Sequence, residues 1–198
     1  MEKPKLLVIA GPNGSGKTTF TSMLLGNHWS KDCVFINPDE IAKNEFGDWN
    51  SEIAIKKAAD RAAEYRMHCL TEGKSMVVET VLSREDKIDF IRLARESGFF
   101  VRLFFIGTDD PRINAERVEI RVENGGHSVP LEKIITRYYR SLALYIYAAK
   151  IADRTYAYDN SVYGREPAPL FRTREGLIIK RYPGLQEHGW AKEIADEI

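Results

Sequence analysis

A glycine-rich run near the amino terminus, Gly11-Pro-Asn-Gly-Ser-Gly-Lys-Thr18, fits the pattern G-x-x-x-x-G-K-[ST]. Glycines let consecutive backbone N–H groups converge on a phosphate, because a Cβ atom would obstruct the tight curve. In such a loop Lys17 reaches the β- and γ-phosphates and the Thr18 hydroxyl coordinates Mg²⁺. The run lies between an apolar stretch and an amphipathic one, which is the strand–loop–helix context that a chance glycine turn would lack. We therefore predict that ATP or GTP is bound with Mg²⁺ by Gly11, Pro12, Asn13, Gly14, Ser15, Gly16, Lys17, Thr18 and Thr19.

Two carboxylates follow predicted strands directly. Asp39 comes after the second apolar run, and Glu79, next to Thr80, ends the third. In parallel sheets ligands bind at the carboxyl ends of strands, and phosphoryl transfer to a hydroxyl needs a carboxylate that takes the proton. We predict Asp39 as this base; the alternative is an N-cap of a helix beginning at Ile41. Glu79 and Thr80 are predicted to bind substrate, with Mg²⁺ binding or a solvent-exposed strand end as alternatives for Glu79.

A group of basic residues lies on two consecutive amphipathic segments: Arg117, Arg121, His127, Arg137 and Arg140. Arg117 and Arg121 are four residues apart and share a helix face, and Gly125-Gly126 offers a hinge for a closing flap over about residues 111–140. Arginines there would neutralise the transferring phosphate, with Arg117 and Arg121 as catalytic residues and His127 and Arg137 as substrate contacts. For each arginine alone, a solvated, salt-bridged helix face is the alternative, because glutamates are interleaved with them.

Short apolar runs alternate with long amphipathic ones, which predicts an α/β fold of three layers, with a central, mostly parallel sheet of about five strands flanked by helices. The strands are expected at Lys5–Ala10, Cys33–Ile36, Ser75–Glu79, Phe99–Ile106 and Arg154–Tyr158. The last is polar and aromatic, so we expect it near an edge.

Capping residues predict where the helices begin. Ser51 and Ser83 each precede an amphipathic run, and Asp110-Pro111 combines an N-cap with proline at the first helical position. A further helix is expected from Pro130 to about Lys150. The tail, about 160–198, is rich in glycine and proline and predicts one hairpin over Leu170–Arg181 and a short closing helix. With no linker, residues 1–198 are expected to form a single domain.

Composition excludes several function classes. Lys and Arg total 29 of the 198 residues, and Asp and Glu also total 29, so a wide polyanion-binding surface is not expected, and nucleic acid is not predicted as a partner. The longest apolar run, Leu142–Ala149, is far shorter than the roughly 18 residues of a membrane span. The two cysteines, Cys33 and Cys69, are expected to be reduced core thiols of a cytoplasmic protein.

Together these motifs resemble the zeta toxin family, the kinases of bacterial toxin–antitoxin systems that carry this phosphate-binding loop. The resemblance rests on Gly11–Thr18, Asn37-Pro-Asp39-Glu40, Glu79-Thr80 and the stretch Arg117-x3-Arg121-x3-Gly125-Gly-His127-x-Val-Pro130-x6-Arg137-Tyr-x-Arg140-Ser. It implies ATP-dependent phosphorylation of a sugar hydroxyl of UDP-N-acetylglucosamine and an antitoxin protein as partner. It also implies that Asp39 is the catalytic base, that Glu79 contacts the substrate and that Arg117 holds the ATP phosphates. His127 departs from the pattern, since the best-known toxins have an arginine there.

Two other functions are compatible with the same residues. A metabolite or antibiotic kinase would keep all of them and differ only in the acceptor pocket. A nucleotide-gated binding module would bind ATP and transfer nothing. A polynucleotide kinase is disfavoured by the zero net charge.

Overall fold

The computed structural model describes residues 3–47 and 51–198 of the chain. Within these residues seven strands form one sheet: β1 Lys5–Ala10, β2 Val34–Ile36, β3 Met76–Thr80, β4 Phe100–Gly107, β5 Arg154–Asp159, β6 Ala168–Arg174 and β7 Leu177–Arg181. Their order across the sheet is β2-β3-β1-β4-β5-β6-β7. The first five strands in the chain pair in parallel, and β6 and β7 add an antiparallel hairpin to β5.

Helices of the described residues connect and cover these strands: α1 Lys17–Leu25, α2 Pro38–Phe46, α3 Glu52–Thr71, α4 Glu85–Glu96, α5 Pro111–Glu123, α6 Leu131–Ile151 and α7 Gly189–Glu197. Two short 3₁₀ turns lie at His28–Ser30 and Pro183–Glu187. None of the helices in the described part of the chain is long and apolar enough to cross a membrane.

The helices form a layer on each face of the sheet. On one face α2, α3, α4, α6 and α7 pack against alternate strand residues, such as Leu6 and Val101. On the other face α1 and the first 3₁₀ turn pack against the intervening residues, such as Leu7 and Phe104. β1, β3 and β4 are therefore buried on both faces, which explains their nearly continuous apolar sequences.

The parallel register of β1 and β3 places the glycine-rich run and Glu79 at the same edge of the sheet. Ile9 pairs with Glu79, and Ala10 pairs with Thr80, so the chain leaves β1 into the glycine-rich run directly beside Glu79. The predicted α/β class with a mostly parallel sheet is confirmed, and the ligand-binding edge lies where parallel strands end.

The sheet differs from the prediction in its size and in the place of β5. It has seven strands and not five, because the predicted hairpin of the tail joins the sheet. β5 lies between β4 and β6, so its expected position near an edge was wrong. Its mixed sequence has a different cause: Thr155 and Ala157 face the helical core, whereas Tyr156 and Tyr158 face the opposite side.

Two of the three predicted caps are confirmed. The Ser51 side chain accepts a hydrogen bond from the Ala54 N–H over 3.3 Å, and Asp110 accepts one from the Arg112 N–H over 2.8 Å. Ser83 is not a cap, because α4 begins two residues later and its N-cap position is Arg84, without a side-chain hydrogen bond.

Candidate active site at the phosphate-binding loop

The loop between β1 and α1 depends on glycine for its shape. Gly14 and Gly16 have φ angles of 77° and 94°, in the left-handed region that side chains disfavour. A Cβ atom on Gly14 would lie 2.4 Å from the Asn114 carbonyl oxygen. The loop is thus packed tightly against α5, and only glycine fits at this contact.

Two asparagines that the sequence analysis did not single out as site residues hold the loop from outside. The Asn114 side-chain amide, fully buried on α5, donates to the Asn13 carbonyl over 2.7 Å. The Asn160 amide, just after β5, donates to the Ser15 carbonyl over 2.8 Å. A signal for Asn160 existed, because it follows a parallel strand at the ligand-binding edge. These bonds fix the loop to α5 and to the end of β5.

Lys17 lies at the electrostatic centre of the site. Its ammonium group donates to the Pro12 carbonyl over 2.8 Å. Burial lowers the pKa of Lys17 to about 8, although the negative charges of Glu79 and Asp39 act to raise it. The positive charges of Arg121 and Arg137 lower this pKa further. Both predicted carboxylates and two of the predicted arginines therefore act on the same ammonium group.

Glu79 contacts the predicted metal ligand directly. The Thr18 hydroxyl donates to one Glu79 carboxylate oxygen over 3.2 Å, while the other oxygen is buried without a hydrogen-bond partner. Burial raises the pKa of Glu79, opposed by hydrogen bonds from Thr21 and Thr18 and by the charge of Lys17. Glu79 is buried, so its alternative as a solvent-exposed strand end was wrong. The Thr18 hydroxyl and the Glu79 carboxylate, one oxygen of which is unsatisfied, form a donor set that fits Mg²⁺, which prefers oxygen ligands.

Asp39 is not the helix cap. α2 begins at Pro38, and its N-cap is Asn37, whose side chain accepts a hydrogen bond from the Asp39 N–H over 2.9 Å. The carboxylate of Asp39 is exposed in the first turn of the helix and takes no part in that cap. The expected alternative, a cap of a helix beginning at Ile41, was wrong, and the side chain is free for chemistry at the site.

Arg121 and Arg137 approach the loop from α5 and α6. Arg137 donates to the Asn13 side chain over 3.4 Å, and Arg121 donates to the His127 carbonyl over 2.6 Å. The ring nitrogen Nδ1 of His127 is buried without a hydrogen-bond partner. Arg121 thus tethers the segment after the two glycines, and its charge still acts on Lys17.

Arg117 and Arg140 do not join this group. Arg117 donates to the Ser161 carbonyl over 3.4 Å, and burial lowers its pKa, opposed by the negative charge of Asp159. Arg140 is exposed on α6. Among the residues named for substrate binding, Thr80 accepts a hydrogen bond from the Leu82 N–H over 3.1 Å and so serves the local turn. The catalytic and binding roles assigned to all these residues remain predictions.

Comparison with known proteins settles the family. The zeta toxin family model matches residues 1–174 of the chain. The chain belongs to the zeta toxin family. An uncharacterized protein of Haemophilus influenzae is 30% identical over 136 residues, which are 68% of this chain and 92% of that protein.

Solved structures of other proteins share the fold. A crystal structure of the AvrRxo1-ORF1:-ORF2 complex with ATP matches with a TM-score of 0.73 and 20% identity, over 98% of this chain and 64% of that chain. The PezAT toxin–antitoxin system of Streptococcus pneumoniae matches with a TM-score of 0.63 and 19% identity, over 99% and 84%. This chain thus spans less than two thirds of the AvrRxo1 chain. The family model thus shows the family, and the solved structures show that the fold is shared.

Proposed function

We propose that this protein transfers the γ-phosphoryl group of Mg-ATP to a hydroxyl of a small molecule. The observation that carries the proposal is the contact between Thr18 and Glu79 beside Lys17, at the end of the glycine-rich loop. A hydroxyl, a buried carboxylate and an ammonium group are the side chains that phosphoryl transfer requires around a nucleotide phosphate.

Lys17 binds the β- and γ-phosphates in this proposal. Its ammonium group exchanges the Pro12 carbonyl for phosphate oxygens, and their negative charge favours the protonated form that burial disfavours. Thr18 and Glu79 would hold Mg²⁺, which neutralises charge on the phosphates when it is bound. This gives Glu79 the metal-binding role that was open beside its predicted substrate contact.

Asp39 accepts the proton of the acceptor hydroxyl. It is exposed toward solvent, so an acceptor can reach it, and its charge acts on Lys17, so it lies near the phosphate position. Arg121 and Arg137, whose charges also act on Lys17, stabilise the charge on the transferring group. Arg117 is proposed to contact the ATP phosphates after it leaves the Ser161 carbonyl.

The proposed acceptor is a nucleotide sugar, UDP-N-acetylglucosamine, and the proposed partner is an antitoxin protein. Membership of the zeta toxin family supports the acceptor, and the PezAT toxin–antitoxin system, whose fold this chain shares, supports the partner. Binding energy from the uridine diphosphate would orient the sugar hydroxyl toward Asp39, so the complete nucleotide sugar should react faster than its fragments.

The acceptor is tested by incubating the protein with Mg-ATP and UDP-N-acetylglucosamine and measuring products by mass. We expect a phosphorylated nucleotide sugar, and much less product when free N-acetylglucosamine replaces it. Phosphorylation of a different hydroxyl compound and of no nucleotide sugar would contradict this acceptor, and the protein would then be a metabolite kinase.

A further inference from the structure

A row of three arginines crosses the sheet far from the phosphate-binding loop. Arg102 on β4 pairs with Arg154 on β5, which pairs in turn with Arg174 on β6. In the next row Arg172 on β6 pairs with Lys180 on β7. Neighbouring strands lie about 4.8 Å apart, so like charges stand directly opposite each other, an arrangement that destabilises a sheet. We call Arg102, Arg154, Arg172, Arg174 and Lys180 the arginine face.

The arginine face lies on the side of the sheet away from α6 and α7. Tyr145 of α6 bonds to Thr155, and the residues beside Thr155 along β5 point to the other side. On that other side the ring contacts to β4 and β5 come from Phe20 and Trp29, in α1 and the first 3₁₀ turn. Arg174 and Lys180 are exposed, so this part of the sheet is open to a ligand.

Acidic side chains do not neutralise this face. Among residues 3–47 and 51–198, the ion pairs involve none of its five cations. The Nε atoms of Arg102 and Arg172 are buried without a hydrogen-bond partner. Cross-strand pairs of opposite charge stabilise an ordinary solvated sheet face, whereas the arginine face pairs like charges and lacks this stabilisation.

Aromatic rings lie directly beside the cations. The Arg102 guanidinium is 4.5 Å from the centre of the Trp29 ring, and that of Arg172 is 5.0 Å from the centre of Tyr156. The Lys180 ammonium is 4.5 Å from the centre of the Tyr182 ring. Tyr156 is 6% exposed, and Arg172 lies over its ring, so the half-buried guanidinium planes of Arg102 and Arg172 are the planar surface that a ligand can reach.

We propose that the arginine face binds single-stranded nucleic acid. A single strand supplies phosphates for the row of cations and planar bases that stack on the guanidinium planes of Arg102 and Arg172, a combination that binding sites for single strands use. An acidic polypeptide would supply charge without planar bases. The zero net charge of the chain did not predict such a surface, because net charge sums over all residues and the positive charge of this face is cancelled by acidic residues elsewhere.

The face is separate from the proposed active site. Arg154 begins β5 and Asp159 ends it at the phosphate-binding edge, five residues or about 17 Å further along the strand. Binding at the arginine face therefore does not require the nucleotide site, and failure of either proposal leaves the other intact.

The test measures binding of labelled 20-mer oligo(U) and oligo(dT) to the whole protein by fluorescence anisotropy, over a series of salt concentrations. We expect both to bind, and the double variant Arg154→Thr/Arg174→Thr to lose at least about ten-fold in affinity. Its dependence of log K on log salt should be shallower by about 1.4, since each neutralised phosphate of a single strand contributes about 0.7. Preference between the two oligonucleotides distinguishes RNA from DNA.

The control is Arg61→Ala/Arg92→Ala, which removes the same charge from exposed positions on α3 and α4, over the opposite face. This control should bind as the wild type does. The melting temperature of Arg154→Thr at low salt should equal or exceed that of the wild type, since a repulsive row is relieved. No oligonucleotide binding, equal losses in both double variants, displacement by Mg-ATP, or equal competition by polyglutamate would each overturn the proposal.

Discussion

At the scale of single residues, the sequence allowed two roles for Asp39, helix cap and catalytic base, and the structure gives the first of them to Asn37. Asn37 caps α2, and Asp39 leaves its carboxylate free. We expect Asp39→Asn to bind Mg-ATP normally and to lose about 10²–10⁴-fold in turnover, the usual size of a general-base contribution.

Asn37→Ala is the matched control for that variant. It should lower the free energy of unfolding by about 1 kcal/mol, the typical cost of a lost cap, whereas Asp39→Asn should leave stability nearly unchanged. Steady-state kinetics and urea unfolding of both variants check this division. A stable Asp39→Asn protein with turnover within a few-fold of wild type would show that Asp39 is not the base.

Lys17 gives a prediction on pH. Its pKa is lowered to about 8 in the folded protein, from 10.5 in an unfolded chain. Between these values the unfolded chain binds more protons than the folded one, so this group makes stability rise with pH in that window. Lys17→Met should remove that rise and should also remove stabilisation by Mg-ATP.

Urea unfolding near pH 7 and pH 9.5, with and without nucleotide, measures both effects. At a hundred-fold excess over Kd, Mg-ATP should stabilise the wild type by roughly 3 kcal/mol. The same pH dependence in both proteins, or equal stabilisation of the variant by nucleotide, would contradict the place given to Lys17.

The sequence sufficed for the residues whose role depends on local pattern and failed for those that act across the fold. The role of Gly11–Thr18 was predictable, because the residue types and spacing of this motif indicate a phosphate-binding loop without any information from the rest of the chain. Asn114 and Asn160 were not given a role, because their bonds to the loop cross about 100 residues or more of chain. The position of Asn160 directly after β5 was a signal for it, whereas no local pattern indicates the contact of Asn114.

At the scale of elements, the phosphate-binding loop and α5 are fitted against each other at Gly14. Gly14→Ala should unfold more easily and lose nucleotide binding, since its Cβ would lie 2.4 Å from a backbone oxygen. Gly98→Ala is the control: its φ is 88°, and no atom lies within 4 Å of the added Cβ. It should cost only the left-handed penalty of about 1–2 kcal/mol. Equal losses in the two variants would show that the contact with α5 is unimportant.

Helix α6 has two arginines, Arg137 and Arg140, that can be compared as a test variant and its control. Arg137 reaches Asn13 in the loop, and Arg140, one turn further, is exposed. We expect Arg137→Ala to reduce turnover by about 10²–10³-fold, as for a lost transition-state donor, with little change in stability. Arg140→Ala should behave as wild type in the same kinetic assay. Equal kinetics in both variants would assign Arg137 to a solvated face.

Elements were predicted well where one residue decides the boundary. Ser51 and Asp110 were confirmed as caps, because a short polar side chain before an amphipathic run has few other uses. Ser83 was a wrong prediction, because the N-cap position is the next residue, Arg84, and no side chain caps α4 there. The interior place of β5 was missed, because strand order depends on pairing partners that the strand's own sequence does not name.

At the scale of the whole molecule, the proposed active site and the arginine face lie at opposite ends of the strands. The carboxyl ends of β1 and β3 hold the phosphate-binding loop and Glu79, and the opposite ends of β4 and β5 hold Arg102 and Arg154. The tail adds β6, β7 and α7, with Trp190 packed against Gly107 at the end of β4. Net charge and composition could not predict this separation, because they contain no information on where the charged residues lie in the fold.

The central claim is that the site transfers a phosphoryl group instead of only binding nucleotide. The direct measurement follows label from the γ-position of ATP in a reaction with UDP-N-acetylglucosamine and a panel of other hydroxyl compounds, for wild type, Lys17→Ala and Asp39→Asn. The account predicts Mg²⁺-dependent appearance of label in an acceptor with the wild type, none with Lys17→Ala and a trace with Asp39→Asn. Stabilisation of the wild type by Mg-ATP with no label in any acceptor would contradict it, and the protein would then be a nucleotide-gated binding module.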